Sequence, residues 1–267
     1  MPLRLDPSFR ERLAASDRSL IGMWACSGSP LVTEVAAGSG LDWLLIDMEH
    51  SANTLESVLV QLQVAAAYPI TPVVRVPWGD AVAIKQVLDL GAQNLIVPMV
   101  SSADEARAAV AATRYPPEGV RGVGSALARS ARWNRVDRYL QESAAHTALT
   151  VQIETAAGVE AAAEIAAVDG VDAIFVGPSD LSASMGLLGQ QTHPDVVAAV
   201  EHVFTVAKAA GTPVGVNAFD PAAADGYIAA GADFVAVGAD VALLARASEA
   251  LATRFIPASD ATGRASY

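Results

Sequence analysis

Gly40–Asp47 reads GLDWLLID: a glycine, a short step, then a run of apolar residues that stops on an aspartate. The pattern returns as GAQNLIVP at 91–98, GVDAIFVG at 170–177 and GADFVAVG at 231–238. A glycine here suits the left-handed residue that closes a helix, with the next strand beginning at once. Repeated helix-to-strand transitions of this kind build a chain of β-then-α units.

Outward from these four, eight apolar runs read as strands: IGMWACS (21–27), WLLIDME (43–49), TPVVRVP (71–77), NLIVPMV (94–100), LTVQIET (149–155), DAIFVGP (172–178), TPVGVNA (212–218) and FVAVGAD (234–240). Most are almost continuously hydrophobic, as parallel strands covered on both faces must be. Between them, segments such as DEARAAVAATRY (104–115) place apolar residues at three- and four-residue steps, the helical spacing. Eight such units predict an α/β fold of the (β/α)8 TIM barrel type in a single domain. An open doubly wound sheet is the competitor, but no G-x-G-x-x-G follows the first strand. The barrel domain is expected to cover 1–257, with a long insertion at about 101–148 and a small polar tail, ASDATGRASY, at 258–267.

The insertion holds one helical pattern and then RYPPEGVRGVGSALARSARWNRVDRYL (114–140). Loops of this length are usually functional or make oligomer contacts, so a lid and a subunit contact are both open readings. Arg129, Arg132, Arg135 and Arg138 have the spacing of an exposed helix face. GVRGVGS (119–125) follows no strand and opens no helix, so it is weak as a phosphate motif, although its N–H groups could meet a carboxylate.

Of the 267 residues 52% are hydrophobic, enough for a large core, and the net charge of −12 argues against nucleic acid or an anionic membrane as partner. No membrane-length apolar run occurs, and the first residues lack the apolar centre of a signal peptide. The single cysteine, Cys26, precludes an intrachain disulfide and fits a reducing, cytoplasmic setting.

Barrel active sites form at the C-terminal ends of the strands. The polar residues expected there are Asp47, Glu49 and His50, Arg75, Gln152 and Glu154, Asp180 of GPSDLS, and Asn217. Alternation puts Asp47 and Glu49 on one strand face and Leu44 and Ile46 on the other, so the chain must turn at Glu49–His50 to converge. Glu154 and Asp180 follow consecutive strands, and two adjoining carboxylates with no lysine nearby must be protonated or bridged by a cation. Hard oxygen ligands favour Mg2+ or Mn2+ over zinc. Asp180 has a second reading, as the cap of the LSASMG turn. The only lysines, Lys85 and Lys208, sit in helical patterns, which disfavours Schiff-base chemistry. Cys26 has no evident base and reads as a buried strand residue. His146, His193 and His202 fall away from the rim. Trp24, Leu127 and Phe219 read as pocket lining or as packing.

WLLIDMEHS, VVRVPWGD, IKQVLDLGAQNLIVPMV, ATRYPPEGVRGVG, VQIET and FVGPSDLSASMG together resemble the metal-dependent (class II) pyruvate aldolases, from about residue 20 to 255. That group includes 4-hydroxy-2-oxoheptanedioate aldolase, 2-keto-3-deoxyrhamnonate aldolase and macrophomate synthase. The resemblance implies a hexameric (β/α)8 barrel that uses a divalent metal, Mg2+ or Mn2+ with Co2+ a third candidate, and no organic cofactor. It implies that Glu154 and Asp180 ligate the metal, with Glu49 reaching it through a water. Arg75 would contact the substrate's keto oxygen, and Gln152 and Ser179 would lie against the substrate. His50 would be the acid–base residue, oriented by Asp47 and by Asp89, the latter from the same subunit or across a subunit interface. Met48 departs from the glycine expected in many relatives. The implied reaction is reversible cleavage of a 4-hydroxy-2-oxo acid to pyruvate and an aldehyde. A citrate-lyase-like acyl-CoA lyase on the same barrel is the alternative.

Overall fold

The computed structural model describes residues 3–257; the tail expected at 258–267 lies outside them. Eight parallel strands close into a barrel in sequence order: β1 (Leu20–Ala25), β2 (Trp43–Asp47), β3 (Thr71–Arg75), β4 (Asn94–Val97), β5 (Ala148–Ile153), β6 (Ala173–Val176), β7 (Val214–Asn217) and β8 (Phe234–Ala239). The helices are α1 (Phe9–Ala15), α2 (Pro30–Ala37), α3 (Leu55–Ala65), α4 (Ala81–Asp89), α5 (Ala103–Thr113) and α6 (Tyr139–Glu142). They continue as α7 (Ala156–Glu160), α8 (Ala162–Ala166), α9 (Pro178–Ser184), α10 (Pro194–Ala210), α11 (Pro221–Ala229) and α12 (Asp240–Phe255). The (β/α)8 expectation holds, and the four repeat glycines, Gly40, Gly91, Gly170 and Gly231, have φ of 89°, 93°, 97° and 94°. These are conformations in which a Cβ is costly.

Strand alternation divides the apolar residues between two layers. Leu44 and Ile46 of β2 face the shell under the helices, while Trp43 and Leu45 join Val73, Ile96, Phe175 and Phe234 inside the barrel. Asp47 continues the inward series, and the β2–β3 register pairs it with Arg75. Period-two geometry alone therefore delivers a carboxylate and a guanidinium side by side at the barrel mouth.

Several strands end earlier than expected. β2 stops at Asp47 because its carboxylate takes the N–H groups of Glu49 (3.0 Å) and His50 (3.2 Å), which folds the chain into a turn. The turn thus begins at Met48 rather than at Glu49–His50. β4 and β6 stop just before Pro98 and Pro178, which have no N–H to give a ladder.

At the opposite end, α1 closes the barrel. Ser8 and Glu11 form a reciprocal capping box, and Phe9 then inserts with its ring centroid 5.5 Å from Trp43 and 5.1 Å from Phe234. This helix is absent from the sequence reading, although S-x-x-E announced it.

The insertion departs most from expectation. It connects the C-terminus of α5 to the start of β5, so it lies toward the N-terminal end of its own barrel, away from the C-terminal rim. Ser130 N–H bonds to Asp89 O, and Leu3 N–H to Arg135 O, at that end. The lid reading therefore fails within one subunit, and Leu127, 87% exposed, stands on the insertion rather than at the rim of its own barrel. The arginine helix face is also overturned: Arg132, Trp133 and Asn134 have φ of 48°, 56° and 61°, which no right-handed helix allows. Tyr115, Ala131, Val136 and Tyr139 make a small core of their own. Arg121 is fully buried against it and ion-paired to Asp89 at 2.8 Å, which pins the GVRGVGS loop.

Candidate active site

The ionisable groups of the rim come from the ends of four strands, β2, β3, β5 and β6. Arg75, buried at the end of β3, is held on three sides. Its Nε donates to Asp47 Oδ1 at 2.8 Å, its Nη1 lies 2.7 Å from Glu49 Oε2, and its Cζ stands 4.3 Å from the Trp24 ring centroid. Trp24 Nε1 in turn donates to Asn217 Oδ1 at 2.8 Å, so β1 and β7 brace the same guanidinium. The turn after β2 is tied down from beneath. Asn53 Nδ2 donates to the carbonyls of Asp47 (2.7 Å) and Ala25 (3.0 Å), and Ser51 Oγ donates to the Asp47 carbonyl.

Across the mouth, Glu154 is one residue past β5 and 1% exposed. Its Oε1 accepts from Met99 N–H at 2.8 Å and its Oε2 from Gln152 Nε2. Met99 holds φ at 59°, an uncommon angle for a side-chain-bearing residue. Gly177, the residue before α9, leaves the space beside Glu154 open. A Cβ there would lie 2.6 Å from Glu154 Oε2 and 2.8 Å from Gln152 Nε2. Ser179 and Asp180 stand exposed in the first turn of α9, and Asp180 makes no capping bond.

The electrostatics are unbalanced. Burial pushes the Glu154 carboxyl up to about 7; the Met99 N–H opposes this, and repulsion from Glu49 and Asp180 adds to it. Glu49 is also raised, by burial above all, against the pull of Arg75 and His50. One guanidinium thus serves four carboxylates: Asp47, Glu49, Glu154 and Asp180. Glu49 Oε2 and Gln152 Oε1 are buried without a hydrogen bond, the Arg75–Glu49 contact being an ion pair only. Unsatisfied buried acceptors beside crowded carboxylates are what a cation would complete. The donor set fits a hard divalent ion held by Glu154 and Asp180. Among the described residues no three His, Cys, Asp or Glu side chains form a metal-holding group alone, so water or substrate oxygens would supply the other ligands.

The other expected site residues fall in two groups. His50 is on the rim, its side chain 65% exposed and its Nε2 3.9 Å from Glu49 Oε1. Asp47 bonds the His50 backbone rather than its ring, so it orients the turn and Arg75. Asp89, at the far end of α4, pairs with Arg121 and does not join this rim within one subunit. Cys26, half-buried one residue past β1 rather than buried within it, is disfavoured as a nucleophile, since burial pushes its thiol up to about 12. The Met99 N–H and the Gly177 opening were missed by the sequence reading. Only the glycine left a signal, directly after a strand.

Residues 20–247 match the HpcH/HpaI aldolase/citrate lyase family. The chain belongs to that family. A 4-hydroxy-2-oxo-heptane-1,7-dioate aldolase of Salmonella heidelberg (strain SL476) is 52% identical over 248 residues, covering 93% of this chain and 94% of the relative. A solved HpcH/HpaI aldolase/citrate lyase family protein from Burkholderia cenocepacia J2315 is 42% identical, with a TM-score of 0.89 over 93% of this chain and 99% of that one. The structure of the citrate synthase SbnG is 31% identical, with a TM-score of 0.82 over 93% and 98%. The HpcH/HpaI match and these identities make the chain a carbon–carbon lyase of the aldolase type.

Proposed function

We propose that the chain reversibly cleaves a 4-hydroxy-2-oxo acid into pyruvate and an aldehyde, with 4-hydroxy-2-oxo-heptane-1,7-dioate, named in its 52%-identical relative, as the first substrate to try. The observation that carries this is the rim itself: Arg75 fixed by Asp47, Glu49 and Trp24, facing a buried Glu154 crowded by other carboxylates. Glu154 and Asp180 would hold a divalent cation, Mg2+ or Mn2+, with Co2+ a third candidate and Glu49 reaching it through water. When bound, that ion would supply Lewis-acid polarisation of the 2-oxo acid.

The chain's own residues supply the rest. Cleavage beside a hydroxyl needs that proton removed while electrons move toward the keto oxygen. His50, its side chain exposed on the turn after β2, takes and returns the proton, a role suited to an imidazole. Arg75 offers its remaining N–H groups to the keto oxygen and, being a guanidinium, stays charged throughout. Gln152 and Ser179 contact the bound acid. Asp47 is a positioning residue for Arg75 and for the turn carrying His50.

The assembly reading is a homo-hexamer. It is supported by α12, where only Asp240 is buried while Val241, Leu243, Leu244, Leu251 and Phe255 face outward. Such a face asks for a second copy. In that assembly the insertion is a subunit contact, and Asp89 would act on His50 of a neighbour. No helix among the described residues is long and apolar enough to cross a membrane; the cytoplasm is the proposed location, on the single cysteine.

The test is pyruvate release from a 4-hydroxy-2-oxo acid. It should vanish with EDTA, return with Mg2+ or Mn2+, and stay absent in Glu154→Gln. Full activity after exhaustive chelation would overturn the metal assignment, and absence of pyruvate under every condition would overturn the substrate class.

A further inference from the structure

A second charged region lies at the other end of the barrel. A cavity of about 150 Å³ opens beneath β3 and β4, between α1, the loop before β3 and the insertion. Its polar lining includes Arg12, Arg129 and Arg132 against one carboxylate, Asp6. Arg129 and Arg132 are half-buried, yet among the described residues none of the three arginines has a carboxylate within ion-pair distance. Arg129 spends one N–H on the Leu90 carbonyl (3.0 Å), where α4 ends, and Arg132 spends one on the Arg129 carbonyl (2.6 Å). Each guanidinium carries five donors, so most remain uncommitted.

The pair has a structural role, since Arg129 caps a helix end, but that role leaves the charge unanswered. Burial and the nearness of Arg132 both lower the Arg129 pKa, and burial lowers that of Arg132 with only partial relief from Asp6. Half-burying two like charges side by side is unfavourable without a counter-charge. Elsewhere in this chain a buried arginine has its acid: Arg75 has Asp47 and Arg121 has Asp89. The exception is where the cavity is.

We infer that this cavity is a binding site for a small oxyanion, a phosphoryl group by preference, held by Arg129 and Arg132 with Arg12 at its rim. Guanidinium pairs suit phosphate because their planar forks present parallel N–H groups to its oxygens. The volume accommodates one such group and little more, so a phosphorylated metabolite would leave its remainder outside, along the groove past Tyr68 and Pro69. The site is at the opposite end of its own barrel from the rim, and none of the residues given a part in the reaction lines it.

Inorganic phosphate titrated calorimetrically into the Mg2+-supplemented protein, at constant ionic strength and with saturating pyruvate, tests this. One saturable site is expected. Arg132→Gln should weaken it about tenfold or more, the loss of a charged hydrogen bond. Arg12→Gln, on an exposed residue whose replacement leaves the fold intact, should weaken it about threefold, as for a partly screened charge. Both variants should keep wild-type turnover without phosphate. Malonate in place of phosphate separates the sources: weaker binding than phosphate supports the phosphoryl preference, and tighter binding overturns it. The site itself is refuted by an absence of saturable heat, by wild-type affinity in both variants, or by a signal seen without pyruvate and lost once pyruvate saturates the protein, which would put the anion on Arg75.

Discussion

At its N-terminal end the barrel is closed by aromatic rings: Phe9 rests on Trp43 and Phe234, and Phe175 stacks on Phe234 at 5.8 Å. At its C-terminal end, four residues on from Trp43 in the inward-facing series of β2, polar groups replace the rings, and some of their buried atoms make no hydrogen bond. The same strands thus build two ends of opposite character. Rings packed edge to face are complete without any ligand and contribute stability. Crowded carboxylates around one guanidinium are incomplete and reserve their binding capacity for something else. Substitutions at the two ends should therefore separate cleanly into effects on turnover and effects on folding.

His50→Ala attacks the upper end alone. Turnover of a 4-hydroxy-2-oxo acid should fall by about 10²–10⁴-fold, the usual contribution of a general base. The side chain is 65% exposed, makes only a long 3.9 Å contact with Glu49 and is hydrogen-bonded only through its backbone, so thermal stability and metal affinity should remain as in the wild type. Steady-state kinetics beside a melting curve decides it. Wild-type rates would move the proton carrier elsewhere on the rim.

Phe9→Ala attacks the lower end alone. Phe9 is 1% exposed and touches two aromatic rings, so its truncation should destabilise the fold by about 3–5 kcal/mol. Below the new melting transition, kcat should be close to wild type, because no rim residue contacts Phe9. Urea unfolding paired with turnover at low temperature reads both quantities. A large fall in kcat without loss of stability would show the two ends to be coupled.

The two ends also differed in how far the sequence disclosed them. The rim was legible because strand parity and the strand-end rule act locally: Asp47, Arg75 and Glu154 each lie within two residues of the expected end of an apolar run, even where the strand stops earlier. The pairing of Glu154 with Asp180, proposed above as the ligands of a divalent ion, followed from two strand ends in succession. The Met99 N–H on Glu154 was not legible, since it depends on a positive φ at a residue type that seldom adopts one. The insertion was misread for a related reason. Its arginines have helical spacing, but three successive left-handed residues break the helix. Its position followed from order along the chain, because a segment between a helix and the next strand must lie at the N-terminal end. Phe9 was hidden because its partners are far away in sequence.

Trp24 joins the two ends, and its replacement sharpens the comparison with the smallest effect. It packs with the barrel aromatics, 6.3 Å from Phe175, while its face covers Arg75 and its Nε1 holds Asn217. A cation–π contact with a desolvated guanidinium is worth about 0.5–2 kcal/mol. Trp24→Leu keeps an apolar group in place but removes the ring face and the N–H. Arg75 retains Asp47 and Glu49, so it stays charged and on the rim, yet its plane is free to tilt. The cost should fall on binding of the 2-oxo acid, raising KM about 2- to 30-fold with a smaller change in kcat. Asn217→Leu, which leaves the ring but removes its anchor, should give a weaker form of the same change. If Trp24→Leu instead lowered stability and left KM alone, Trp24 would belong to the aromatic plug, and the boundary between the two ends would lie above it.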